Sequence, residues 1–223
     1  SLSGTEFGDL ALAVKGLLLR LDCLVVSAGL GVTFPTGSDW RLLDGQGQPL
    51  LVLENEAVHL QPFLGAQLTP NDRLFVLFFT QADFDTSGNT VRVIDSYPAP
   101  ASREAGVLQE QALLFADIAA GYWVYRDPSH RFLTGLAPVI ELHYSTTMQQ
   151  GDAVFDDTSG FTLGMDPAQG VGFGYRDMVN LTGGLHCQLG TLSTLTVAGV
   201  VPLRTGGDRD YDAELAVQFN RRF

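Results

Sequence analysis

The chain closes on "DAELAVQFNRRF" (212–223). Tyr211, Ala213, Leu215, Val217, Phe219 and Phe223 are apolar, and Arg221 is the one break in the row. Between them Asp212, Glu214, Gln218, Asn220 and Arg222 are polar, and Ala216 is small. Successive side chains of a strand point to opposite faces, so this period of two predicts a strand with one apolar and one polar face. Chain ends ordinarily fray. This end is patterned to be held in a sheet.

The same alternation recurs upstream. In 177–189, Val179, Leu181, Gly183, Leu185, Cys187 and Leu189 share one face, and Asn180, Thr182, Gly184, His186 and Gln188 the other. In 193–203, Leu195, Val197, Gly199, Val201 and Leu203 oppose Thr194, Thr196 and Ala198. In 136–145, Leu136, Pro138, Ile140, Leu142 and Tyr144 oppose Glu141, His143 and Ser145. In 58–68, Leu60, Pro62, Leu64, Ala66 and Leu68 oppose His59, Gln61 and Gln67. In 73–85, Leu74, Val76, Phe78, Ala82 and Phe84 oppose Gln81, Asp83 and Asp85. Segments 8–16 and 23–34 alternate likewise, and 111–125 places Asp117 opposite Leu114, Ile118 and Tyr122. Nine strands of roughly ten to thirteen residues result, against about five or six for a globular strand. Strands near ten residues with this dyad suit a tilted membrane-spanning β-strand.

Connector lengths sort by end. Turns are tight at Arg20 to Asp22, 69–72, 127–130 and 190–192, and long polar stretches fill 36–56, 86–108 and 149–176, with a shorter one at 204–210. Short turns on one rim and long loops on the other are the asymmetry of an outer-membrane barrel. Aromatic residues gather near both rims: Tyr122, Trp123, Tyr125, Phe132 and Phe223 at the tight turns, and Phe34, Trp40, Phe84, Tyr144 and Tyr211 at the long loops. Two such belts are expected of rings lodged at membrane interfaces. The fold expected is an all-β, antiparallel up-and-down transmembrane barrel, a single domain over 1–223. Pro62, Pro138 and Pro202 fall inside these strands, where proline removes a ladder hydrogen bond, and bulges or rim positions are expected there. Single-chain bacterial barrels have an even strand number. With nine strands visible and no initiator methionine, the chain is expected to be the C-terminal part of a barrel of ten or more.

Composition agrees with this class. The hydrophobic fraction is 45% and the charged fraction 17%, which argues against disorder. A net charge of -12 argues against a nucleic-acid partner, which needs a basic face. No run of about 18 apolar residues supports a transmembrane helix. Cys23 and Cys187 allow one disulfide or two free thiols, and no spacing supports a zinc site.

An alternating strand ending on Phe223, with Phe219, Val217 and Leu215 in register, resembles the C-terminal signal by which bacterial outer-membrane barrels are recognised for insertion; Arg221 departs from it. "LVVSAGLGVTFPTG" (24–37), "HLQPFLGAQLTPNDRLFVLFFTQADFDTSGN" (59–89) and "GYWVYRD" (121–127) resemble outer-membrane transporter barrels, broadly similar to the FadL-like and phenol-degradation-pathway barrels. The resemblance implies an outer-membrane location, contact with lipid and the barrel-insertion machinery, and passive uptake of small molecules.

The polar faces would line the lumen: Lys15, His59, Gln61, Gln81, Asp83, Asp117, Glu141, His143, Asn180, His186, Gln188, Glu214, Gln218 and Arg222. Acidic groups outnumber basic ones there, which favours cations, as acidic rings do in pores. The alternatives are a lumen plugged by paired side chains in an anchoring barrel, and a soluble lipocalin-like binding barrel. "DFDTSGN" (83–89) imitates a calcium loop, but its twelfth position is Ile94 rather than glutamate, so a turn is expected. "GVGFG" (170–174) precedes a strand, not a helix, and does not predict a phosphate cradle. His143 and Ser145 lie on one strand face without nucleophile–base geometry, and no GxSxG occurs. No enzyme activity, metal or cofactor is expected.

Overall fold

The computed structural model describes residues 7–95, 101–158, 160–164 and 174–222. In chain order, strand β1 (Leu10–Arg20) returns as β2 (Leu24–Phe34). The next connection carries a hairpin, β3 (Trp40–Leu43) and β4 (Pro49–Leu53), before β5 (His59–Leu68) and β6 (Leu74–Asp85). A second insertion, β7 (Asn89–Asp95) and β8 (Ala101–Leu108), leads to β9 (Ala112–Tyr122), the short β10 (Tyr125–Arg126) and β11 (Leu133–Gln149). A third, β12 (Val154–Asp156) and β13 (Phe161–Leu163), precedes β14 (Asp177–Leu189), β15 (Ser193–Pro202) and β16 (Glu214–Arg221).

Nine long strands form one antiparallel sheet in the order β1-β2-β5-β6-β9-β11-β14-β15-β16, each beside its neighbour in the up-and-down sequence, with β10 paired to β11. All nine strands expected from the alternation are present. Tight turns join them at one end. There Asn71 Oδ1 accepts the backbone N–H groups of Arg73 and Leu74. Asp127 Oδ1 accepts the backbone N–H and the hydroxyl O–H of Ser129. Gly190 turns the chain at a φ of +60°, which glycine adopts without Cβ strain.

The prolines sit where the ladder has no need of them. Pairing between β5 and β6 lapses at Gln61 and Pro62 and resumes in the same register. Pro138 pairs toward β14, one residue before the β11–β9 ladder begins at Val139. Pro202 ends β15, beyond its last partner on β16.

Among the described residues, β1 and β16 do not pair, so the sheet is an open wall rather than a closed barrel. Eight antiparallel steps leave these two edge strands running in the same direction, so they cannot close on each other antiparallel.

Cross-strand partners share a face, and the registers place the faces as the alternation predicts. Phe78 and Leu142 flank Ile118; Leu185, Val197 and Val217 form one row. This convex face is apolar and open: Leu215, Val217 and Phe219 are 73%, 63% and 59% exposed. The other face carries the polar set. Both cysteines are free thiols.

The long connections overturn one expectation. Segments 36–56 and 86–108, read as polar loops, hold a four-stranded sheet of order β3-β4-β7-β8. Its inner face is a compact apolar cluster of Leu51, Val91, Val93 and Leu108, joined by Val154 of β12. Leu51 and Val91 are 1% and 0% exposed. The alternation here is too short, and too mixed with Arg92, Arg103 and Glu104, to stand out in sequence. Arg103 clamps the unit by a bidentate pair with Asp156 of β12 and a 3.0 Å bond to Asp95. The hydrogen bond to Asp156 foremost holds its guanidinium protonated above the ordinary arginine value.

The aromatic belts are corrected in part. Tyr122 and Phe132 are exposed at the tight-turn end, and Phe34, Trp40 and Phe84 at the other. Trp123 and Tyr211 instead line cavities on the polar face, and the Tyr144 hydroxyl donates to Asp177. Phe223 and residues 170–173 of the glycine-rich stretch lie outside the described residues.

Candidate functional site

The polar face of the long sheet is concave and wraps two cavities. Toward the tight turns, a cavity of about 1140 Å³ reaches from Cys23 and Gln67 across to Gln218 and Asn220 on β16. Toward the long connections, one of about 500 Å³ is bounded by Phe79, Phe115, Asp117, His143, Asn180 and Glu214.

An aromatic floor crosses this face, and sequence reading missed it. Phe63 and Phe79 stand 6.0 Å apart between ring centroids, and Phe75 stands 5.8 Å from Trp123. Trp123 meets the His186 ring edge-on at 5.7 Å, and Arg126 lies 6.0 Å over the indole. The rings lie over glycines. Gly29 is the cross-strand partner of Phe63, and Gly121 that of Phe75. A Cβ on either would stand 2.3 or 2.2 Å from the ring above it. Glycine thus makes room for rings on the concave face. The sequence signal is a glycine opposite an inward phenylalanine, visible only once the register is known.

The expected lumen residues lie on this one face, in separate groups. His59 Nδ1 stands 2.9 Å from Asp83 Oδ1, and Gln61 donates to Asp83 Oδ2 at 2.9 Å. His143 Nδ1 stands 2.9 Å from Asp117 Oδ1, while its Nε2 is 2.9 Å from the Thr182 hydroxyl and 3.8 Å from Glu141. His186 Nδ1 contacts the Thr196 hydroxyl at 2.7 Å. Glu141, Gln188, Gln218 and Arg222 border the larger cavity, and Gln81, Asn180 and Glu214 the smaller. Lys15 lies on the same side, across from Gly29, and is exposed. The three histidines do not meet; each has its own partner. Thr182 and Thr196 complete networks that sequence reading left open.

The calcium-like stretch folds as a turn. Asp85 Oδ1 accepts the N–H groups of Ser87 and Gly88, and its Oδ2 accepts that of Glu110. Asp83 meets His59 and Gln61 while Asp85 takes backbone N–H groups of the turn, so the two carboxylates have different partners.

Asp117, His143 and Thr182 follow the order carboxylate, imidazole, hydroxyl, the order of a nucleophile relay. Two features oppose that use. Thr182 is only 8% exposed. The Glu141 carboxylate, 3.8 Å from Nε2, sets negative charge where acyl transfer needs an oxyanion stabilised.

Comparison with protein-family models, with curated proteins and with solved structures returns no match.

Proposed function

We propose that the chain forms the wall of a transmembrane β-barrel of the bacterial outer membrane, and that this barrel passes small molecules passively. The outward face carries the reading. Across the long strands, rows of leucine, valine, isoleucine and phenylalanine stand exposed, far more apolar surface than a water-facing sheet keeps. An eleven-residue strand is about 36 Å long, and tilted by about 45° it rises about 25 Å, the height of an outer-membrane apolar band. The concave face supplies the complement, a wet path edged with aromatic rings. On this face Asp22, Asp72, Asp83, Asp117, Glu141 and Glu214 outnumber Lys15, Arg126, Arg221 and Arg222, which favours cationic or neutral solutes.

Closing an all-antiparallel wall requires an odd number of further strands between β1 and β16, because those edges run parallel. In hydrocarbon an unpaired edge leaves backbone groups without partners, so the membrane form carries that closure. The charged and polar networks around His59 and His143 favour one second reading, an anchoring barrel whose interior is filled by side chains. A soluble binding barrel is opposed by the convex face.

Folded protein carrying the closing strands, added to a planar lipid bilayer, separates these. The channel reading expects stepwise conductance with a preference for cations. Insertion without conductance supports the plugged barrel, and failure to insert while remaining soluble without detergent overturns both.

A further inference from the structure

Halfway up the concave face, Asp117 of β9 and Glu141 and His143 of β11 bring one donor atom each within 4.8 Å of one another. We propose that these three side chains form a binding site for a divalent transition-metal ion between the two cavities.

The charge balance calls for a cation. Asp117 and Glu141 are half-buried carboxylates converging on one imidazole, and among the described residues no arginine or lysine pairs with either. Two negative charges held together in a partly dry site repel unless a positive charge joins them. The distances fit an ion. Bonds of about 2.1 Å at tetrahedral angles place donors about 3.4 Å apart. Asp117 Oδ1 and His143 Nδ1 stand at 2.9 Å, within reach of that separation by a small rotation. Glu141 approaches the ring from the Nε2 side at 3.8 Å and would turn toward the ion to complete the set. Thr182, 2.9 Å from Nε2, is the outer partner that fixes the ring while Nδ1 faces the ion.

The donor set selects the class. One imidazole and two carboxylates suit zinc or manganese; calcium prefers six to eight oxygens, and copper(I) prefers sulfur. Asp117 and His143 border the smaller cavity and Glu141 the larger, so water from either side reaches the remaining coordination positions. An ion here would be held by few ligands and exchange readily. The site itself stands on side-chain geometry, and only its place on a conducting path rests on the channel reading.

Zinc chloride titrated into the folded, detergent-held protein by calorimetry tests this, with cobalt(II) absorption as a second readout. One equivalent of zinc is expected to saturate below about 100 μM. His143→Ala is expected to weaken binding by about 100-fold, as loss of a metal-site partner does. Asp117→Asn is expected to weaken it as well, and Glu104→Gln in the connection sheet to leave it unchanged. Circular dichroism of each variant verifies folding, and Thr182→Val, which keeps all three donors, is expected to weaken affinity by about 10-fold. Absence of saturable binding, or binding equal in His143→Ala and the parent, overturns the site. Binding by a protein that proves soluble without detergent would retain the site and remove the barrel.

Discussion

Ile118→Arg is expected to cost the protein about 2–4 kcal/mol of folding stability in a bilayer. Ile118 lies at mid-strand in β9, on the convex face between Phe78 and Leu142, and is exposed. In hydrocarbon an arginine there must drag water or headgroups toward the midplane. In water the same change at an exposed site would be neutral within about 0.5 kcal/mol. The two settings thus give distinguishable outcomes for one substitution. Urea titration of the protein in lipid vesicles, followed by tryptophan fluorescence, reads the difference. A variant as stable as the parent contradicts the lipid-facing assignment of this strand.

Leu51→Ala carries the second large effect, about 2–4 kcal/mol, and it should be local. Leu51 is packed with Val91, Val93, Leu108 and Val154, and the neighbouring strands cannot fully collapse onto the gap, so transfer and cavity terms add. The loss falls on the sheet of β3, β4, β7 and β8, which is held by this cluster and by the Arg103 clamp. Hydrogen exchange should show protection falling in 40–53, 89–95 and 101–108 while β11 and β14 keep theirs. Equal loss in the long strands would mean that both sheets unfold as one unit.

The long strands were legible because their alternation is strict and a one-residue slip would turn every side chain over. The row Leu185, Val197, Val217 could be assigned to a face from parity alone. The connection sheet was not legible, because three or four alternating residues such as Val91, Arg92 and Val93 do not rise above the noise of a polar segment. Nor was the aromatic floor. In "RLFVLFF" (73–79) both faces are apolar, so parity assigns Phe78 outward without revealing that Phe75 and Phe79 are bedded on the concave face. Partnerships such as His143 with Asp117 and Thr182 depend on registers between three strands, which no single segment encodes. Closure is a property of both sheet edges together, so alternation within a strand is silent about it.

The assignment of the two faces is tested most directly on the strand that ends the chain. Nitroxide labels placed singly at 214 to 220, in a background with the free thiols Cys23 and Cys187 changed to serine, report access of oxygen from lipid and of a nickel chelate from water. Oxygen access should peak at 215, 217 and 219, and chelate access at 214, 216, 218 and 220. Chelate access that is high and uniform at all seven positions would place both faces of β16 in water and contradict the membrane barrel.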